Sequence, residues 1–363
     1  MALTKIKYIL FVVCFTLFNF KANAQSNNCD IDFTKLFADN QKGIYMFGEN
    51  HSVPQIKYYL NIINDFSEVQ DTLIVYLEVP RSSQILIDKI LLERDTSYLD
   101  DLTSIYDGKK REIESIVRYA YYYNLIGFKK IYIYAIDYPY FPSQVFSTIW
   151  SLGMGKKFKP KIKSKYEKQV FSFKLKLKYK DETVKKYVES VSNLINEKNF
   201  DVSMFLDCNN KDYFKLVEYL NQYYVGNVKV KRVKNITMEY FKEREKHIIS
   251  YFNEVLLSTN KYTGVAFFGM NHVLKLNDDT TYSFSPNLCQ GLIKLNYNVI
   301  SAIYKYDNAI ISKYDKIKYN DKYFKSTFKS EELHKELDSI PKENCDVYKM
   351  KNNNYFDYVI IAN

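Results

Sequence analysis

The sequence predicts an α/β fold: a largely parallel central sheet flanked by helices, with a helical, lysine-rich insertion. Three observations lead there. Six short runs are apolar, aromatic and β-branched, as strands buried on both faces are. Helical patterns separate several of these runs, and strand–helix–strand repetition builds a parallel sheet with helices on its faces. One long stretch breaks that rhythm and is dense in lysine.

The predicted strands are Ile44 to Phe47, Leu73 to Leu77, Ile131 to Ile136, Gly264 to Phe268, Val299 to Tyr304 and Tyr358 to Ile361. After the first, Ser52, Pro54 and Gln55 spell a helix start: an N-cap serine, an early proline and a capping-box glutamine. Ile56, Tyr59, Leu60 and Ile63 follow at helical spacing. Further helices are expected near Arg111 to Leu125 and from Met238 to Leu257, and a fourth opening at Ser285 and Pro286. The interruption spans residues 153–225 and is expected to be a helical subdomain inserted in a single α/β domain of residues 25–363. Within it, Lys174 to Lys180 alternates with a period nearer two.

The first 24 residues read as a cleavable signal peptide. Lys5 and Lys7 form a basic start, Tyr8 to Phe20 is an apolar core too short for a membrane span, and Ala22-Asn23-Ala24 is a cleavage site. The expected location is periplasmic or secreted. The chain carries +10, and losing the three leader lysines leaves +7. That charge fits an anionic surface contact through the lysine-rich insertion. No nucleic-acid motif is present, and an exported chain has little use for one. Cys29, Cys208, Cys289 and Cys345 survive processing without CxxC spacing, so disulfides are permitted and a thiolate metal cluster is not indicated.

The candidate chemistry sits at strand ends. The first strand ends in Gly48-Glu49-Asn50-His51 and the fourth in Gly269-Met270-Asn271-His272. In a parallel sheet the carboxyl ends of the strands form the crevice where ligands bind. Glycine there allows a sharp turn or a close backbone approach. His51 stands at the entrance of the helix that Ser52 caps, where the positive helix end disfavours an imidazolium; a neutral imidazole suits a base or a metal ligand. Glu78 and Asp137 directly follow apolar strands, and carboxylates so placed need partners if buried. On the Met238 helix the apolar stripe is Phe241, Ile248, Phe252 and Val255; Glu245 falls within it and Arg244 at its edge, so both are expected to reach a polar centre. His247 and His334 are expected to face water.

In this order, the GENH motif, Leu77-Glu78, the Arg244-Glu245 helix and the late FGMNH motif resemble the erythromycin esterase, ChaN-like and TIKI/TraB proteins. The last strand, Phe356 to Ile361, resembles the closing strand of the erythromycin esterase branch. The resemblance covers about residues 43–92, 131–138 and 238–361 and leaves out the insertion. Its branches imply different functions. The Gly-Glu-x-His spacing matches ChaN-like proteins, associated with haem or iron uptake. Erythromycin esterases have one more residue between glutamate and histidine and hydrolyse a macrolide lactone. TIKI proteins carry paired Gly-x-x-His motifs, act as metal-dependent proteases, and lack the glutamate found here at Glu49.

The resemblance implies a centre of Glu49, His51, Glu78 and His272 with Arg244 beside it. The leading expectation is a hydrolase of a small-molecule or peptide substrate. Glu49 or His51 would deprotonate water, Arg244 would stabilise an oxyanion, and His51, Glu78 and His272 would hold a divalent metal ion if one assists. The competing expectation is a haem- or iron-complex-binding protein with His51 or His272 as axial ligand. A third is a surface interaction module that keeps the fold without the chemistry.

Overall fold

The computed structural model describes residues 31–37, 42–50, 53, 56–70, 72–104, 110–127, 130–138, 141–154, 161–172, 175–176, 179–196, 200–225, 238–259, 263–275, 286–306, 309–310, 318–319, 328, 330–341, 345–351 and 354–362. The leader, His51, Ser52, Pro54, Gln55 and Ser285 lie outside them, and with them the expectations that rest on those residues.

All six predicted strands form. They are β1 (Ile44–Glu49), β2 (Thr72–Pro80), β3 (Lys130–Asp137), β4 (Gly264–Gly269), β5 (Val299–Tyr306) and, after a small hairpin of β6 (Ala309–Ile310) and β7 (Lys318–Tyr319) and a short β8 (Val347–Lys349), β9 (Tyr358–Ala362). The main sheet has the order β3-β2-β4-β1-β5-β9-β8. Its first six strands are mutually parallel and β8 runs antiparallel to β9. The chain steps outward from β1 to β2 and β3, returns to insert β4 beside β1, then continues on the other side with β5. Such a reversal of direction is where open α/β sheets place their crevices.

Adjacent residues of β4 show which helices cover which face, because neighbouring side chains on a strand point oppositely. Tyr59, from the Ile56–Val69 helix, packs 4.2 Å from Phe267. Phe252, from the Met238–Thr259 helix, lies 6.5 Å from Phe268 and 4.4 Å from Tyr76. The two helices therefore cover opposite faces. The stripe read from the sequence holds: Ile248, Phe252 and Val255 are buried.

Residues 153–225 contain the helices Lys165–Phe171, Asp181–Ile195 and Asn210–Val225, and the Pro142–Met154 helix runs into them. They share an aromatic core. Phe171 stacks on Phe205 at 4.1 Å, and the Tyr187 and Tyr213 hydroxyls meet at 2.9 Å. The alternating run Lys174 to Lys180 forms no strand among the described residues. Tyr179 instead packs on Phe146 and accepts the Lys176 amide, which holds the segment as a loop. The fourth predicted helix starts later than Ser285. Asn287 caps Leu288–Lys294 in a reciprocal box with Gln290, a better fit to the capping geometry than a serine–proline pair two residues earlier.

β3 is an outer strand whose free side is occupied by two side-chain amides. Asn124 both donates to the carbonyl and accepts from the amide of Ile131, at 2.8 Å each. Gln84 donates to the Ile133 carbonyl at 3.0 Å and accepts from the Ala135 amide at 2.7 Å. Cys208 and Cys289 are buried and form no disulfide. Cys345 is disulfide-bonded, and its partner lies outside the described residues. No helix among the described residues is long and apolar enough to cross a membrane.

Candidate active site

The parallel strands deliver charged side chains to one rim. β1 ends in Glu49, opposite Gly269 at the end of β4. β2 carries Glu78 within an irregularity between Leu77 and Pro80, and Pro80 stands opposite Asp137 at the end of β3. A one-turn helix, Met270–Val273, follows β4 directly and carries His272. Gly48 makes this possible through space rather than through an unusual φ. A Cβ there would lie 2.3 Å from Val273 and 3.1 Å from the Met270 backbone, so only glycine lets the turn settle on β1.

Arg244 and Glu245 reach the rim from the Met238–Thr259 helix, and both are buried. The Arg244 guanidinium is the hub. Its Nε and Nη2 fork onto the Asp137 carboxylate at 2.9 and 2.8 Å. Nη2 also donates to Glu78 Oε1 at 2.8 Å, and Nη1 lies 3.2 Å from His272 Nε2. His272 Nε2 is 3.2 Å from Glu78 Oε1, and its Nδ1 is 2.6 Å from Glu245 Oε1. The second Glu78 oxygen accepts the Gly269 amide at 2.7 Å, which ties β2 to β4. A planar fork on a carboxylate is the strong form of this pairing.

Three carboxylates thus surround one guanidinium and one imidazole. Burial pulls the His272 pKa down, but Glu245 and Glu78 outweigh it and raise it to about 10. The two carboxylates therefore favour the charged form of the ring. Burial pushes the Asp137 carboxyl up, against the pull of Arg244. A raised folded-state value for His272 means that its contribution to stability is complete below its ordinary value of 6.5 and fades as pH climbs to about 10. The denaturation midpoint in urea is expected to fall between about pH 7 and pH 10, and to fall less in His272→Gln. Equal slopes in the two proteins would mean that His272 is not charged in the fold.

Of the residues chosen from sequence, the structure brings Glu78, Arg244 and His272 into direct contact and adds Asp137 and Glu245 to them. Glu49 is buried at the same rim, close enough to Tyr304 that, after burial, its charge raises the tyrosine's pKa. His51 lies outside the described residues, so its distance from His272 is not defined. His247 is exposed, as expected, and stacks on Tyr138 at 4.9 Å. His334 is half-buried rather than solvated. Its Nε2 lies 2.9 Å from the Phe328 carbonyl, because the helix carrying it packs Leu333 and Leu337 inward.

The metal expectation for His51, Glu78 and His272 meets a geometric obstacle. Arg244 packs beside the Glu78–His272 contact and engages both side chains, and both imidazole nitrogens face carboxylates. Among the described residues no group of three His, Cys, Asp or Glu is arranged to hold a metal ion. The oxyanion role expected of Arg244 meets a similar obstacle, since its donors are directed at Asp137, Glu78 and His272. Sequence reasoning missed Lys305, a buried lysine near the end of β5, and Arg81, which follows β2. A lysine within the otherwise apolar Val299–Tyr306 run was the available signal for the first.

No protein-family profile matches the sequence, and no curated protein matches it. Solved structures do. An erythromycin esterase mutant, EreC, in its open conformation aligns with a TM-score of 0.53 and 11% identity, over 92% of this chain and 94% of that one. A Bacillus cereus protein aligns at 0.50 with 12% identity, over 91% and 90%. ChaN of Campylobacter jejuni, solved with cofacial haem, aligns at 0.32 with 14% identity over 77% and 89%, too low a score to weigh. At these identities the likeness is one of architecture: the chain has the fold that an erythromycin esterase also uses.

Proposed function

We propose that the chain is an exported hydrolase that activates water at Glu49 and His51, with a charged His272 opposite them and Arg244 behind. The observation that carries this is the buried Arg244–His272 pair held among Glu78, Asp137 and Glu245 at the carboxyl rim of the sheet. An imidazolium with a pKa near 10 is a poor base, so the proton of water goes to Glu49 or His51. His272 and Arg244 add positive charge behind the rim without donating to the reacting oxygen, since their donors are engaged with Glu78, Asp137 and Glu245. Arg244 is a positioning residue: it fixes Glu78 and Asp137, and through Glu78 it fixes the His272 ring. No step is routed through a metal, since Glu78 and His272 are already engaged with Arg244 and with each other. The Cys345 disulfide supports export, because such bonds persist in oxidising compartments.

Haem binding is the less favoured reading. An axial ligand needs an accessible nitrogen, and both His272 nitrogens lie within 3.2 Å of a carboxylate in a buried setting. The decisive experiment is a screen of esters, lactones and amides with protein purified from its native host, alongside its absorption spectrum. Hydrolysis lost in His51→Ala, with the circular dichroism spectrum unchanged, is the expected result. A stoichiometric Soret band lost in His51→Ala or His272→Ala, with no hydrolysis anywhere in the screen, would reverse the assignment.

A further inference from the structure

We infer that a second site, beside the buried centre but separate from it, binds an uncharged oligosaccharide. Two adjoining cavities of about 670 and 330 Å3 share one wall of Arg81, Asp88, Lys215, Tyr219 and Tyr251. Together they form a cleft between β3 with the Gln84–Leu91 helix on one side and the Asn210–Val225 and Met238–Thr259 helices on the other. None of Glu49, Glu78, Asp137, Arg244, Glu245 or His272 lines it.

The surfaces of the cleft narrow the ligand chemistry. Tyr219 and Tyr251 line its middle, and Tyr132, 37% exposed, lines its open edge on β3. Tyrosine offers an apolar face and a polar tip, which match the C–H face and hydroxyl rim of a sugar ring. Arg81 lies against the rings, its guanidinium carbon 4.2 Å from the Tyr219 centroid and 5.3 Å from that of Tyr251. It also donates to Gln222. Its Nε is buried and has no hydrogen-bond partner among the described residues.

Charge decides against ionic ligands. The basic side chains Arg81, Lys89 and Lys215 share the lining of the two cavities with six carboxylates. An anion would meet those carboxylates, and a cation would meet the guanidinium shared by both cavities. Hydroxyl groups both donate and accept, so a neutral polyol can satisfy both signs at once. The combined volume exceeds what a single sugar ring fills, and each cavity falls in the size range of ligand sites. Binding here requires no bond to break, so the inference does not depend on the hydrolase reading.

Isothermal titration of the full chain with cellohexaose, maltohexaose and N-acetylated chitohexaose tests it, with polygalacturonate and chitosan oligomers as charged counterparts. At least one neutral hexasaccharide is expected to bind with a Kd between about 10 μM and 1 mM. Tyr219→Ala and Tyr132→Ala should each weaken it by about tenfold or more, while Tyr122→Ala, an exposed ring outside the cleft, should leave it unchanged. Tyr132→Ala alters an exposed side chain and keeps the test decisive if Tyr219→Ala does not fold. Absence of binding to all three neutral sugars, stronger binding of a charged polymer, or binding that survives both variants would each overturn the assignment.

Discussion

Arg244→Met is expected to lower the unfolding free energy by about 3–5 kcal/mol, the cost of leaving buried charges without their partner. The side chain contacts Asp137 through two nitrogens and Glu78 through one, and all three side chains are at most 8% exposed. Methionine fills similar volume, so the change isolates charge from packing. Removing the guanidinium leaves Glu78, Asp137 and Glu245 with only His272 between them. Domains of this kind have net stabilities of about 5–15 kcal/mol, so the loss is a fifth or more of the total. Arg244→Lys should recover only part of it, because an ammonium cannot fork onto Asp137 and reach Glu78 as well. Equilibrium unfolding in urea with the disulfide intact measures both variants. A loss under about 1 kcal/mol for Arg244→Met would show that the carboxylates are held neutral or reached by water.

Glu49→Gln is expected to lower kcat by about 10²- to 10⁴-fold on whichever substrate the screen identifies, with KM little changed. Glu49 ends a strand buried along its whole length, and a carboxylate there has a cost unless it is used or paired. Glutamine keeps the shape and removes the ability to take a proton. The effect should therefore appear in turnover, and the urea midpoint should move much less than in Arg244→Met. If Glu49→Gln keeps full turnover while His51→Ala loses it, the base is His51 and Glu49 only orients it. Full turnover in both variants would remove the water-activating pair from this end of β1.

The sheet was legible because its strands appear as apolar runs: most are buried on both faces, and β3, with one face partly exposed, carries tyrosines there. All six such runs became parallel strands. β8 was not legible: three residues, with Tyr348 half-buried and Lys349 exposed, carry no run and no alternation long enough to detect. The polar centre was legible where charge interrupts an apolar pattern. Glu78 and Asp137 close apolar strands, and Arg244 and Glu245 sit on a core-facing helical stripe. What no periodicity could reveal is the pairing. That Arg244 faces Asp137, 107 positions earlier, depends on how the Met238–Thr259 helix lies across the sheet. For the same reason the sequence could suggest an oxyanion role for Arg244 but could not show its donors already engaged. The cleft was illegible for a related cause, since Arg81 and Tyr219 come from β2's exit and from the inserted helices.

The amides of Asn124 and Gln84 give β3 a neighbour that is not a strand. A bare outer strand is a template onto which another chain can zip, and proteins guard such borders by charge, brevity or cover. Here two uncharged side chains imitate the missing backbone: each presents a carbonyl and an N–H at the spacing of a peptide group. The opposite border is guarded by brevity, with the three-residue β8 reversed in direction. The main sheet is thus closed at both margins, which leaves little of its backbone for a second copy to extend.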